Sequence, residues 1–153
     1  MRWAKSMGYQ SFWIGLNDKG NEDEWKWESG AALSSDWGGW RSGQPDLYNV
    51  QDEDCAIANC GGSGFVCDTS CEIQRQFVCQ NRISENWVMK SQKCEYDDAI
   101  ASDWYGDGNW KVYIEPFYDG IRPEYTYEKA KDRCKSLGAT LVREQDVLDA
   151  VRL

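Results

Sequence analysis

The apolar residues fall into short runs along the chain, and most of these runs predict strands. Residues 12–16, Phe-Trp-Ile-Gly-Leu, form a continuous apolar stretch, which is typical of a buried strand. Residues 24–28 alternate polar side chains with two tryptophans, so they predict a strand with both rings on one face. Three further strands are predicted at 55–58, 76–79 and 110–114.

Apolar residues at helical spacing occur near both ends of the chain. The last third predicts a helix that begins after Thr126, a suitable N-cap, and ends at Gly138. The side chains that share its apolar face are Tyr127, Ala130, Cys134 and Leu137. A second helix is predicted to begin within 146–153, and residues 1–11 have the pattern of a helix end.

Two stretches lack a regular pattern. Residues 29–43 are rich in glycine and serine and predict an ordered loop. We interpret Trp37 and Trp40 as rings that pack this loop onto the core, in preference to rings that contact a ligand. Residues 81–109 mix polar, acidic and aromatic residues without periodicity, so we interpret them as an extended connector.

The segment 44–68 is rich in side chains that carry hard oxygen ligands. These side chains are Gln44, Asp46, Glu53, Asp54 and Asp68. A hard cation such as calcium binds roughly six to eight oxygens and mixes carboxylates with amide and backbone carbonyls. Pro45 allows a cis bond that would direct the flanking side chains toward one point. The alternative is an acidic surface loop held by disulfides, since charged runs are usually only solvated.

Composition argues against several classes of function. A net charge of −9 over 153 residues argues against binding to nucleic acid or to anionic membranes, and no transmembrane run is visible. The chain has no histidine, so it lacks the commonest general base and zinc ligand, and we do not predict an enzyme. Seven cysteines without zinc-type spacing predict disulfides and therefore a secreted or extracellular protein.

Several motifs follow one another in an order that resembles the C-type lectin domain. They are Trp13-Ile14-Gly15-Leu16, Gln44-Pro45-Asp46, Glu53-Asp54-Cys55 and Phe77-Val78-Cys79. The match is specific because these are independent motifs in the right order. The resemblance implies an α+β, C-type lectin-like fold, in which two helices flank small antiparallel sheets and disulfides hold a long loop region.

The resemblance also implies calcium-dependent binding of galactose or GalNAc. The calcium ligands would be Gln44, Asp46, Glu53 and Asp68. Gln44, Asp46 and Glu53 would also bind the sugar hydroxyls, and Tyr48 would cover the apolar face of galactose, with loop packing as the alternative role for this ring. A second, structural calcium site would use Asp18, Glu22, Glu53 and Asp54.

One position departs from the family pattern. The family's Trp-Asn-Asp motif is Val66-Cys67-Asp68 in this chain. The family's asparagine gives calcium an oxygen ligand and gives the sugar an amide donor, and Cys67 supplies neither. The loss of one ligand weakens a calcium site, because affinity depends on the number and charge of the ligands.

The two halves of the resemblance occur in reversed order. Residues 110–153 resemble the start of the family domain and residues 1–80 its end, with the connector 81–109 between them. The chain is either one domain with a circularly changed order or a window on a tandem array. We favour one complete domain, because half a domain would expose a large apolar face.

The cysteines fit that interpretation. The family's two disulfides map onto Cys55–Cys71 and Cys79–Cys134. The additional pair, Cys60 and Cys67, are neighbours along the chain and are expected to bond to each other. Cys94 is then left over, either free or bonded between molecules.

Two functions follow as hypotheses. The first is an extracellular, calcium-dependent lectin domain whose partners are glycans or glycoproteins. The second is a structural or adhesive module that keeps the fold without the sugar site and assembles through protein contacts. The reversed order of the halves, the Cys67 substitution and the odd Cys94 favour this second hypothesis.

Overall fold

A computed structural model of the chain describes residues 10–46, 52–82, 104–105, 110–114 and 123–143. Several sequence predictions therefore lie outside the described residues. They are the helices at 146–153 and over most of 1–11, the roles of Tyr48 and Cys94, and most of the connector.

Eight strands of the described chain form one sheet: β1 Phe12–Asn17, β2 Lys26–Trp27, β3 Cys55–Ala58, β4 Cys67–Thr69, β5 Gln76–Arg82, β6 Trp104–Tyr105, β7 Trp110–Ile114 and β8 Thr140–Leu141. Their order in the sheet is β4-β3-β1-β5-β7-β6, with β2 on β1 and β8 on β5. The described helices are a short 3-10 helix, Cys60–Gly62, and α1, Tyr127–Ser136. Strands β3 and β7 have the predicted bounds, whereas β6 lies within the stretch interpreted as a connector.

Strand β1 lies at the centre of the fold. Its side chains alternate between two apolar clusters: Phe12, Ile14 and Leu16 pack into a first core, and Trp13 packs into a second. It pairs antiparallel with β2 and β3 but parallel with β5, through Phe12 with Gln76 and Trp13 with Phe77. The sheet is therefore mixed, although most of its pairs are antiparallel.

Helix α1 covers the second core with the predicted apolar face. Tyr127, Ala130 and Cys134 are buried there, and Leu137 packs partly buried against them. Gly138 follows the end of the helix, and its positive φ of 70° lets the amides of residues 138 and 139 bond back to the last turn. Among the described helices, none is long and apolar enough to span a bilayer.

Three disulfides join the elements in the described part of the chain. The first two, Cys55–Cys71 and Cys60–Cys67, lie within the loop region around β3 and β4. The third, Cys79–Cys134, joins β5 to α1 across 55 residues of chain. Since β5 also pairs with β7 and β8, described residues from both halves of the chain share one sheet, and α1 and β8 share the second core with β1 and β5.

Candidate cation and sugar site

Three carboxylates from separate segments converge beside the outer edge of the sheet. Asp46 follows the cis bond between Gln44 and Pro45, Glu53 precedes β3, and Asp68 lies in β4. One oxygen of each carboxylate lies within 4.8 Å of those of the other two. Three negative groups at this separation repel one another, so the arrangement favours a bound cation.

Hydrogen bonds hold the loop of Gln44 against β4. The backbone amide of Asp68 donates to Oε1 of Gln44 (3.1 Å), and the backbone amide of Asp46 donates to Oδ2 of Asp68 (3.0 Å). The side-chain amide of Gln44 also donates to Oδ2 of Asp46. Four of the predicted site residues are therefore brought together, with three of them joined by these bonds.

The Asp68 carboxylate is the deepest of the group. Only 8% of the residue is exposed, and its Oδ1 atom is buried without a hydrogen-bond partner. The pKa of Asp68 is raised to about 6, chiefly by burial and also by the charges of Glu53 and Asp46, against the opposing effect of nearby backbone amides. A buried carboxylate oxygen with no partner is the kind of ligand that a hard cation satisfies, so the residues fit calcium.

The position before Asp68 gives no oxygen from its side chain. Cys67 is buried and bonded to Cys60, as expected for the additional cysteine pair. Strand β4 pairs with β3, placing Asp68 opposite Ala56, and this pairing fixes the height of the carboxylate along the sheet. The side-chain ligands available at the site are therefore those of Gln44, Asp46, Glu53 and Asp68. Further ligands would have to come from backbone carbonyls or water.

A second acidic group surrounds Asp18, just after β1. Asp18 is 5% exposed, and its Oδ1 atom is buried without a hydrogen-bond partner. Its other oxygen accepts from the backbone amide of Asp23 (3.0 Å), and its own amide donates to the carbonyl of Asp54 (3.1 Å). The pKa of Asp18 is raised to about 6, chiefly by burial and also by the charges of Glu22 and Asp54, although the hydrogen bond from the Asp23 amide lowers it.

The two predicted cation sites thus differ in how closely their acids approach. Within the described residues, Asp18, Glu22 and Asp54 do not form a three-acid group as compact as that of Asp46, Glu53 and Asp68. Glu53, which the resemblance implies for both sites, lies with Asp46 and Asp68.

Sequence reasoning missed one concave feature. A cavity of about 370 Å³ opens beside Trp25, Leu33, Trp37 and Trp40. Trp37 and Trp40 pack against the first core, as predicted, but both also line this cavity. The density of tryptophans between residues 25 and 40 was the only signal in the sequence.

Comparisons with known proteins agree with the motifs. The family model of the lectin C-type domain matches residues 2–81, which is more than half of the chain. Human C-type lectin domain family 17, member A is 34% identical over 73 residues, covering 48% of this chain and 18% of that protein. Rat versican core protein is 34% identical over 74 residues, covering 48% of this chain and 3% of that protein.

One solved structure was also found. It is the carbohydrate-recognition domain of mouse scavenger receptor C-type lectin, which is 36% identical to this chain. The match covers 46% of this chain and 55% of the solved chain, and the TM-score is 0.38. The chain spans less than a fifth of each of the two curated relatives. On the match to the family model, the chain belongs to the C-type lectin domain family.

Proposed function

We propose that this chain is an extracellular, non-enzymatic, calcium-dependent carbohydrate-binding domain. The observation that carries the proposal is the convergence of Asp46, Glu53 and Asp68, with the buried Oδ1 of Asp68 lacking a hydrogen-bond partner. Gln44, Asp46, Glu53 and Asp68 would hold the ion. The three disulfides support an oxidising, extracellular location.

Bound calcium would supply coordination positions for two neighbouring hydroxyls of a sugar. The chain's own groups would orient those hydroxyls: the carboxylates accept hydrogen bonds, and the amide of Gln44 donates one. The bonds between Gln44, Asp46 and Asp68 hold these groups in place before a ligand arrives, which lowers the ordering cost of binding.

We propose galactose or GalNAc as the sugar class, on the Gln44-Pro45-Asp46 motif. Tyr48, outside the described residues, is proposed as the ring that covers the apolar face of the sugar. Replacing Tyr48 by phenylalanine should preserve this affinity for galactose, and replacing it by alanine should lower it about tenfold, which is the scale of one aromatic contact.

We propose a structural role for the acids around Asp18, Glu22 and Asp54. The unpartnered Oδ1 of buried Asp18 supports cation binding there. The ion would hold the loop after β1 against the segment before β3, which are already joined by the Asp18 amide and the Asp54 carbonyl. Calcium should then raise the melting temperature even in variants that lack the sugar site.

The test of the main proposal is calcium titration by calorimetry, with and without galactose. We expect galactose binding to require calcium and to disappear in chelator. Asp46→Ala and Glu53→Ala should abolish it, whereas Glu72→Ala, which removes an exposed acid nearby in the chain, should not. Retention on a galactose column in excess chelator, equal to that in calcium, would contradict the proposed mechanism.

We further propose that residues 1–80 and 110–153 form one domain in reversed order. The pairing of β5 with β7 and β8 and the Cys79–Cys134 bond support this. Peptide mapping of a monomer isolated under non-reducing conditions should recover Cys79 and Cys134 in one linked pair. Linkage of these cysteines between two chains would instead indicate exchange of halves between molecules.

The second candidate function is an adhesive or structural module without a sugar site. The observation that favours it is the Cys60–Cys67 disulfide, which occupies the position where the family supplies an asparagine ligand. This second function predicts that neither calcium nor galactose binds at Asp46, Glu53 and Asp68 and that the protein self-associates. Light scattering that shows a discrete monomer under all conditions would contradict this alternative.

A further inference from the structure

The Cys60–Cys67 disulfide contacts the candidate cation site from both of its ends. Cys67 immediately precedes Asp68 in β4, and Sγ of Cys60 lies 3.8 Å from Nη1 of Arg41. The carbonyl of Arg41 accepts from the backbone amide of Gln44 at 2.9 Å. The disulfide therefore links the strand that carries Asp68 to the loop that carries Gln44.

The described disulfides differ in how well a thiol in solution can reach them. Cys79, Cys134 and Cys55 each have 0% exposure, whereas Cys60 and Cys71 are partly exposed. The sulfur of Cys60 contacts the side chain of Arg41, an exposed residue, so this end of the bond lies at the protein surface. Exposed disulfides are the ones that exchange most readily with external thiols.

The charge of Arg41 separates Cys60 from Cys71, the other partly exposed cysteine. A cation beside a sulfur stabilises the thiolate, and a guanidinium keeps its charge at any physiological pH. Within the described residues, the sulfur of Cys71 has no such contact. Arg41 therefore favours exchange at Cys60, since it stabilises the negative charge that Cys60 carries when the bond is cleaved.

The fold has other bonds that hold these segments when the disulfide opens. Cys67 pairs with Ile57 in the ladder of β3 and β4, and the amide of Cys60 donates to the carbonyl of Phe65 at 3.0 Å. The sequence separation of this disulfide is 7, against 16 and 55 for the other two, so its loss removes the smallest loop constraint. Reduction should therefore loosen the cation site while the domain stays folded.

We propose that the Cys60–Cys67 disulfide is a redox switch that a dithiol reductant opens, with loss of calcium affinity. A thiolate of the reductant attacks Sγ of Cys60, forms a mixed disulfide and expels Cys67 as a thiolate, which takes a proton from water. The second thiolate of the reductant attacks its own bonded sulfur and expels Cys60, which is then protonated. The protein gains two electrons and two protons, and the reductant becomes a disulfide.

The coupling to calcium rests on the proposed function of the site, whereas the selective reduction does not. Opening the bond frees the backbone before Asp68 and the contact that holds the loop of Gln44, so two ligands lose their fixed positions. Calcium affinity should fall about fivefold or more, which is the lower end of the usual coupling between two sites. Calcium should in turn shift the reduction equilibrium toward the disulfide by the same factor.

The experiment exposes the whole chain to dithiothreitol at set ratios of its reduced and oxidised forms, after any free thiols are blocked. Alkylation and peptide mapping then show which cysteines were reduced. We expect Cys60 and Cys67 to react together while the other two described disulfides stay intact. Calorimetry in the same buffer measures the calcium affinity of this form, and circular dichroism confirms that it is folded.

Two matched variants test the role of charge. Arg41→Gln should slow the reduction of Cys60–Cys67 about fivefold, the scale of one charge contact at the surface. Lys26→Gln makes the same change of charge at a side chain that pairs with Glu24, and it should react like the parent protein. Equal rates for the parent and Arg41→Gln would overturn the role of Arg41.

The remaining outcomes separate the switch from the calcium site itself. Reduction of Cys71 or Cys79 before Cys60 would overturn the switch. Unchanged affinity after selective reduction, in a protein that binds calcium, would overturn the coupling alone. The absence of calcium binding in both redox states would overturn the proposed function together with the coupling.

Discussion

The backbone amide of Asp46 donates to the carboxylate of Asp68, 22 residues further along the chain, at 3.0 Å. This bond joins the loop of the Gln44-Pro45-Asp46 motif to strand β4. It leaves the other oxygen of Asp68 buried without a partner beside two more carboxylates. In the absence of a cation this arrangement lowers the stability of the fold, because a buried charge without a partner is unfavourable.

Asp68→Asn should separate the effect of this carboxylate on stability from its effect on calcium binding. The amide oxygen of asparagine keeps an acceptor for the Asp46 amide, and its NH2 group offers a donor to the neighbouring carboxylates. We expect the calcium-free protein to gain about 1–2 kcal/mol in unfolding free energy, since a buried charge is removed, while calcium binding is lost. Urea denaturation and calorimetry measure the two quantities.

The matched control is Glu72→Gln, which neutralises an exposed acid and should change neither quantity appreciably. A calcium affinity equal to that of the parent in Asp68→Asn would show that this carboxylate is not a ligand. A large loss of stability in chelator would show that its charge is compensated within the fold.

The pH dependence of stability should reverse between the calcium-free and calcium-bound protein. The pKa values of Asp18 and Asp68 are about 6 in the folded chain, above the ordinary value of 3.8. Between these values the folded state binds more protons than the unfolded state, so the calcium-free protein gains unfolding free energy as the pH falls through 6. This gain is lost as the pH rises again through 6.

In the presence of calcium the unfolding free energy should instead decrease as the pH falls, because protons compete with the ion for the same carboxylates. Three acids with lowered pKa values, Glu24, Asp36 and Glu128, act against the gain only at more acidic pH. Urea denaturation in calcium-free buffer, from neutral pH to about pH 5, tests the prediction. A steady decrease in stability over that range would contradict it, and Asp18→Asn with Asp68→Asn should remove the effect.

The sequence predicted the local elements better than their assembly. The apolar run at 12–16 and the face of Tyr127, Ala130 and Cys134 follow from periodicity, because burial on a strand or helix requires it. The parallel pairing of β1 with β5 and the strand β6 depend on contacts between distant residues. No local pattern encodes such contacts, so a two-residue strand within a mixed polar segment was not visible.

The candidate site was predictable only in its residue types. The acids and Gln44 were identified from their oxygen ligands and from the family resemblance, but their convergence depends on the register of β3 with β4 and on the loop bonds to Asp68. The burial that leaves Asp68 Oδ1 without a partner is a tertiary property. The same holds for the cavity beside Trp25 and Trp37, since the spacing of tryptophans does not show that their rings line a cavity.

The Cys60–Cys67 disulfide should support the cation site through the backbone. It ties the 3-10 helix to the residue that precedes Asp68, across a separation of seven residues. Replacing both cysteines by serine should lower the unfolding free energy by about 2–3 kcal/mol, as loop-closure entropy predicts for a short loop. Calcium affinity should fall as well, because β4 becomes freer to move.

The measurement is calorimetry at a temperature where both proteins are fully folded, so that global unfolding does not contribute. Circular dichroism establishes that temperature. An unchanged calcium affinity in the serine variant would show that the strand pairing of Asp68 with Ala56 alone holds the carboxylate in place.

Tyr127 and Glu28 should be energetically coupled across the two halves of the chain. The Tyr127 hydroxyl donates to Oε1 of Glu28 at 2.6 Å and accepts from the side-chain amide of Asn17 at 3.1 Å. Tyr127 is fully buried, and its burial, together with the Glu28 charge, raises the pKa of the phenol and keeps the proton in place. Helix α1 is thereby bonded to the ends of β1 and β2.

Tyr127→Phe should therefore lower the unfolding free energy by about 1.5–3 kcal/mol, the range for a buried hydrogen bond to a charged group. Lys131→Met removes the 3.1 Å ion pair on the more exposed side of the same carboxylate and should cost less than about 1 kcal/mol. A double-mutant cycle with Glu28→Gln, measured by urea denaturation, isolates the coupling. Additive losses would show that the hydroxyl and the carboxylate stabilise the fold independently of each other.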